Sequence, residues 1–187
     1  MEKVVFLDRD GVINKYPGHF QYVTSWDEFS FLPNVKAALR RLHKEGYKIF
    51  VVSNQAGVSK GVYSQKSLDT ITENMLEELN KEGAALDGVY YCTHRPEDNC
   101  PCRKPKTGLI ERAFSQLQSE TKDRGRGLAY FVGDSILDMQ TGKAAGLKTI
   151  LVFSGRETPE NKDSWSIIPD FTARDLSEAV DIILRRP

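Results

Sequence analysis

VVFLDRDG, residues 4–11, passes in one step from four consecutive apolar residues to Asp8-Arg9-Asp10-Gly11. The run does not alternate, so it reads as a strand covered on both faces, the pattern of a parallel sheet. KIFVV (48–52), LAYFV (128–132) and TILVF (149–153) have the same character, and GVYYC (88–92) reads as another.

Helical periodicity fills the gaps between these runs. In NVKAALRRLHKEG, Val35, Ala38, Leu39 and Leu42 share one face, and Gly46 supplies a stop. In SQKSLDTITENMLEELNKEG, Leu68, Ile71, Met75, Leu76 and Leu79 form a stripe, with Ser64 as N-cap and Gly83 after the end. Thr107 is placed to cap GLIERAFSQLQ, DLSEAVDIILRR (175–186) closes the chain as an amphipathic helix, and TKDRGRG (121–127) reads as a surface turn. Strand alternating with helix predicts βαβ units and a doubly wound, Rossmann-like parallel α/β sheet, built as one domain over residues 1–187.

Composition narrows the function. The 187 residues carry 26 basic and 26 acidic side chains, so no global field favours nucleic acid or an anionic membrane. The opening MEKVVFLDRDG has neither the pattern of a signal peptide nor the length of a membrane span, and a cytoplasmic location is expected. Three cysteines cannot make a complete disulfide framework, which turns attention to metal binding.

In open α/β sheets, ligands bind beyond the carboxyl ends of the strands. VVFL ends in Asp8 and Asp10, KIFVV in Ser53-Asn54-Gln55, and LAYFV in Gly133-Asp134-Ser135 with Asp138 one turn further. The loop after GVYYC delivers Arg103-Lys104. Carboxylates gathered at one rim repel unless a divalent cation sits among them, and oxygen-only ligands suit Mg²⁺. Ser53, Asn54, Gln55 and Arg103 could then hold a phosphate, Lys104 could neutralise its charge, and an aspartate could attack phosphorus. Asp138 reads equally well as a member of the site or as an acid at a helix start.

Asp8-Arg9-Asp10-Gly11-Val12, Ser53, Lys104 and Gly133-Asp134-Ser135-Ile136-Leu137-Asp138 resemble, in order, the four motifs of the haloacid dehalogenase (HAD) superfamily. The resemblance implies Asp8 as nucleophile and Mg²⁺ ligand and Asp10 as general acid and base, its backbone carbonyl also meeting the metal. Ser53 and Lys104 are implied as the phosphoryl grip, and Asp134 completes the metal site.

CTHRPEDNCPCRK (92–104) holds every cysteine in the chain. Cys92, His94, Cys100 and Cys102 are a full tetrahedral set for a structural Zn²⁺, in a loop (92–102) after the third strand that is too polar to build its own core. This loop and the aspartate motifs together resemble the heptose-1,7-bisphosphate 7-phosphatase and histidinol-phosphate phosphatase subfamily, which lacks a large cap domain. SNQAGVSKG (53–61) is similar to the heptose branch; the short spacer within the cysteine loop is similar to the histidinol branch. Ser135 stands where many heptose enzymes carry a lysine, which shifts the expected phosphate grip toward Lys104. The resemblance implies a phosphatase acting on a small phosphorylated metabolite, with the heptose bisphosphate favoured over histidinol phosphate; a monomer is expected, and the balanced charge and short apolar runs lead one to expect no nucleic-acid or membrane partner. A receiver-like phosphoacceptor is the competing reading, because receivers also combine acids, a hydroxyl residue and a lysine on a parallel sheet.

Overall fold

A computed structural model describes residues 2–120 and 128–185, so the surface turn expected at 121–127 lies outside the described residues. The elements are β1 (Lys3–Leu7), α1 (Val35–Lys44), β2 (Tyr47–Asn54), α2 (Gln65–Lys81), β3 (Gly88–Cys92), α3 (Gly108–Glu120), β4 (Ala129–Gly133), α4 (Ile136–Ala144), β5 (Lys148–Val152), β6 (Phe171–Ala173) and α5 (Leu176–Leu184). Among the described residues the six strands form one parallel sheet in the order β3-β2-β1-β4-β5-β6.

The expected doubly wound sheet is present, and its pleat divides the core. Val5, Leu7, Ile49, Val51, Tyr130 and Val132 pack on one face, against α1, α2 and α5. Val4, Phe6, Phe50, Val52 and Phe131 point to the other, where Ile110, Ala113, Phe114 and Leu117 of α3 cover them. The stripe expected in α1, Val35, Ala38, Leu39 and Leu42, is buried, and in α2 Leu68, Ile71, Met75 and Leu79 are buried while Leu76 at the margin of the expected stripe is only partly covered. The Ser64 hydroxyl caps α2 by accepting from Ser67 N at 3.0 Å, and Gly46 and Gly83 follow α1 and the C-cap of α2 with φ of 76° and 66°.

Two details depart from the sequence reading. The strand expected to stop at Val52 continues through Ser53 and Asn54, because β3 pairs beside its end, with Ser53 opposite Tyr91 and Asn54 opposite Cys92. The three-residue β6 carries too short a run to signal itself, and it exists through pairing with β5. Trp26 is stacked on Phe29 with ring centroids 4.9 Å apart, and Trp165 stacks on Phe153 at 6.3 Å.

Strand order reverses between β1 and β4, whose register pairs Leu7 with Val132. Asp8 and Asp134 therefore leave the sheet side by side at the switch point, where such sheets open a crevice. Between β1 and α1, residues 15–34 contain one short 3₁₀ turn, Trp26–Glu28, and no further helix or strand.

The sheet edge is tied down by Asp170. Its carboxylate accepts from Thr149 N at 2.8 Å and Thr149 Oγ1 at 2.9 Å, and pairs with Lys143 Nζ at 2.6 Å. Burial pushes this carboxyl up, but Lys143 and Thr149 outweigh it and hold it below its ordinary value. Asp170→Ala is expected to lower stability by about 1–3 kcal/mol in denaturant melts at pH 7. A depressed carboxyl contributes above its unfolded pKa, so the difference from wild type should shrink as pH falls below 4.

Candidate active site

Lys104 is the centre of the crevice. Its buried ammonium pairs with Asp8 Oδ2 at 2.8 Å, donates to Asp138 Oδ1 at 2.5 Å and donates to the Val52 carbonyl at 3.1 Å, which occupies all three of its protons. Desolvation lowers a buried lysine's proton affinity, but Asp138 and Asp8 more than offset this, so Lys104 stays charged. Its backbone is aimed by Asn54, whose amide accepts from Lys104 N at 3.1 Å and donates to Lys104 O at 3.3 Å.

Asp8, Asp134 and Asp138 each bring a carboxylate oxygen within 4.8 Å of the others. Burial holds the Asp8 carboxyl up at about 6, with Asp138 adding to the effect and Lys104 opposing it. Asp134 is raised well above its ordinary value, first by burial and then by Asp138 and Asp8. Two carboxyls whose charged forms are disfavoured, with a third carboxylate beside them and all offering oxygen, are a donor set for a hard divalent cation. Room around them is kept by glycine: a Cβ at Gly11 would lie 2.2 Å from Asp134 Oδ2, and one at Gly155 would lie 2.1 Å from it. The Arg156 backbone N–H donates to the same oxygen at 2.8 Å.

Asp138 fills both of the roles that its position allows. Its Oδ2 accepts from Ser135 N at 3.1 Å and Ser135 Oγ at 2.6 Å, closing the first turn of α4, while Oδ1 holds Lys104. Ser135 is thereby engaged within the protein.

Asp10 leaves this cluster. Its carboxylate accepts from Arg9 Nη2 at 2.9 and 3.1 Å, from Asn14 Nδ2 at 2.8 Å and from Gln55 Nε2 at 2.9 Å. Burial pushes the carboxyl up, but Arg9 and these amides outweigh it and hold it below its ordinary value. Arg9 itself is fully buried, its guanidinium 5.7 Å from the centre of the Tyr91 ring. Sequence reasoning gave Arg9 and Tyr63 no role, since an arginine between two aspartates carries no sign of burial. Asn54 and Gln55, expected to touch a ligand, have their amides committed to Lys104 and Asp10 respectively.

The site opens into a cavity of about 320 Å³. Asp8, Asp10, Ser53 and Asp134 lie at its floor, and Arg103, Lys60 and Arg156 contribute positive charge to its lining. Lys60 donates to Tyr22 Oη at 3.1 Å, and the Arg103 guanidinium donates to the His94 carbonyl at 3.2 Å.

Beside the cavity, Cys92, His94, Cys100 and Cys102 converge as the sequence spacing led one to expect. Their sulfurs are 3.2–3.5 Å apart, and His94 Nδ1 lies 3.3 and 3.6 Å from Cys102 and Cys92. The cysteines are free thiols, and the spacing approaches the sulfur–sulfur edge of about 3.8 Å in a tetrahedron with Zn–S bonds of 2.3 Å. Burial pushes the Cys92 thiol up to about 12; Cys100, although burial raises it too, is brought down to about 7 by hydrogen bonds with Cys102 and Cys92.

The family model described as HAD-hydrolase-like matches residues 101–179. The chain is 34% identical over 185 residues to a D-glycero-D-manno-heptose-1,7-bisphosphate 7-phosphatase of Chlorobaculum tepidum, covering 95% of this chain and 92% of the relative. It is 38% identical to the D-glycero-beta-D-manno-heptose-1,7-bisphosphate 7-phosphatase of Haemophilus ducreyi, with 97% of each chain covered. The crystal structure of D,D-heptose 1,7-bisphosphate phosphatase from B. bronchiseptica, complexed with magnesium and phosphate, superimposes with a TM-score of 0.85 at 28% identity, over 99% of both chains.

A carboxyl raised in the fold stabilises the protein when protonated, and that contribution is fully present below its unfolded pKa of 3.8. With a chelator present, Tm should therefore fall by a few degrees as pH rises from 4 through about 6, where Asp8 ionises. Excess Mg²⁺ should raise Tm more at pH 7 than at pH 5. A flat profile, or equal shifts at both pH values, would contradict the cation-site reading.

Proposed function

Because the chain belongs to the D-glycero-D-manno-heptose-1,7-bisphosphate 7-phosphatase family of HAD-type hydrolases, we propose that it removes the 7-phosphate of that bisphosphate through an aspartyl-phosphate intermediate. It is a phosphatase, and Mg²⁺ is its metal. The observation that carries this reading is the constellation at the switch point: Asp8, Lys104, Asp134 and Asp138 locked together beneath an open, cation-lined cavity.

Asp8 and Asp134 would hold Mg²⁺ together with the Asp10 carbonyl, and Asp138 would steady the set through Lys104. When bound, the ion neutralises the crowded carboxylates and draws charge from the phosphoryl oxygens. The Asp8 carboxylate attacks phosphorus, the ester P–O bond breaks, and the departing alkoxide takes a proton from Asp10. Asp10, now a carboxylate, removes a proton from water as that water attacks phosphorus; the bond to Asp8 breaks and phosphate leaves. Arg9 favours the Asp10 carboxylate in the resting site; when a phosphate dianion enters, its charge raises the proton affinity of Asp10, which takes a proton from solvent for the first half-reaction, and the proton it gains from water in the second returns to solvent as phosphate leaves. Ser53 hydrogen-bonds the Asp8 carboxylate, so its hydroxyl is placed to meet a phosphoryl oxygen, and the Lys104 proton that holds Asp8 would pass to the phosphoryl group once Asp8 carries it.

The cysteine cluster is the structural Zn²⁺ site, with Cys92, His94, Cys100 and Cys102 as ligands. Two contacts support a link from it to the chemistry: Arg103 is tied to the His94 carbonyl, and Arg95 clamps the Ser59 carbonyl at 2.6 and 3.0 Å, joining the loop to residues 55–61. The protein acts as a monomeric, single-domain, capless enzyme in the cytoplasm, with selectivity set by the loops around the cavity. No helix among the described residues is long and apolar enough to cross a membrane.

Asp8→Asn should lower kcat by at least about 10³-fold while the circular dichroism spectrum is retained. Comparison of kcat/KM for both anomers of the heptose bisphosphate and for histidinol phosphate, with Mg²⁺, should favour the heptose; the reverse preference, or a long-lived phosphoprotein without turnover, would overturn the assignment. Cys102→Ala should lose one equivalent of zinc by elemental analysis and reduce kcat/KM about tenfold through loosening of Lys104. Undiminished kcat/KM in the zinc-free variant would sink the structural role.

A further inference from the structure

Gln55 stands between the two halves of the proposed chemistry. Its Nε2 donates one proton to Asp10 Oδ2 at 2.9 Å and faces Ser53 Oγ at 3.3 Å with the other, while its Oε1 accepts from the Tyr63 hydroxyl at 2.6 Å. Both amide protons are therefore used, and the residue is 2% exposed. A carboxamide can be turned end for end with almost no change of shape, and the reversed form would point its carbonyl at the Asp10 carboxylate. Tyr63 opposes that reversal, because its O–H needs an acceptor and finds Oε1 there.

The surroundings hold Tyr63 to this task. The ring is 7% exposed and lies over Gly57, where a Cβ would come within 2.1 Å of Cε1. Tyr22 packs beside it with ring centroids 6.0 Å apart. The second Gln55 proton matters as much as the first: a Ser53 Oγ that accepts from Gln55 turns its own O–H toward Asp8 and the phosphoryl position.

We propose that Tyr63 is a positioning residue of this phosphatase: through Gln55 it fixes the Asp10 carboxylate and the Ser53 hydroxyl in the orientation that phosphoryl transfer requires. The inference rests on the proposed acid–base role of Asp10. It assigns Gln55 to the support of the reacting groups instead of to contact with the sugar. Since Tyr63 does not itself reach the reacting atoms, its loss should appear in kcat and leave substrate binding unchanged.

The test uses steady-state kinetics with p-nitrophenyl phosphate and Mg²⁺, a substrate without a sugar to recognise, on wild type, Tyr63→Phe, Gln55→Leu and the double variant, each checked by thermal melting. Tyr63→Phe keeps the ring over Gly57 and removes only the hydroxyl. Its kcat should fall about tenfold with KM within about twofold of wild type. The double variant should be no slower than Gln55→Leu, because the hydroxyl acts through the amide. Unchanged kcat in Tyr63→Phe, a loss confined to KM, or losses that multiply in the double variant would each overturn the proposal. Should Gln55→Leu fail to fold, the kcat and KM of Tyr63→Phe decide alone. Asp10→Asn separates the two levels: if it is inactive while Tyr63→Phe is normal, only this inference fails, and if it retains full kcat, the acid–base reading fails and takes the inference with it.

Discussion

A single buried ammonium organises this molecule. Lys104 joins the end of β1 through Asp8, the end of β2 through Val52 and the start of α4 through Asp138. A lysine without water is tolerable only when each of its protons has an acceptor and its charge has a counterion, and both conditions are met here by groups from separate elements. Loss of one partner would leave an uncompensated buried charge, an effect of about 3–5 kcal/mol. Most of the site's other contacts serve this arrangement: Asn54 grips the Lys104 backbone, Ser135 secures Asp138, and the cysteine loop presents the lysine from outside the sheet.

Around that cation the acids are sorted by environment. Asp134 and Asp8 sit where burial and mutual repulsion raise their proton affinity, so they are ready for a metal. Asp10, two residues from Asp8, is drawn the other way by Arg9 and two amides. Residues of one chemical type, adjacent in the chain, thus receive different work because the side chain between them is an arginine turned into the protein.

Much of this was legible before any coordinates. Continuous apolar runs marked the buried strands, and the rule that ligands gather beyond their carboxyl ends brought Asp8, Ser53, Lys104 and Asp134 to one place. The cysteine and histidine spacing foretold their convergence. What escaped notice did so for physical reasons. Arg9 reads as solvated because its burial depends on Tyr91, a residue on a distant strand. Tyr63 meets Gln55 because Gly57 leaves room beneath its ring, a contact with no periodic signature. Ser135 and Asp138 have the spacing of a helix cap whether or not Asp138 also holds a lysine, so sequence could not choose between the roles.

The position of β1 also governs when the enzyme can come into being. Its two neighbours are β2, reached early in the chain, and β4, at Ala129–Gly133, and the second of the two glycines that accommodate Asp134 comes later still, at residue 155. During synthesis from the N-terminus, Asp8 and Lys104 emerge well before the strand that carries Asp134. Half a sheet with an unfilled edge is all that a nascent chain can build until then, and closing the gap requires contacts of high sequence separation, the slow kind. Catalytic competence therefore arrives late, in a nearly finished molecule, and a chain cut short within its first two-thirds holds the proposed nucleophile without the means to use it.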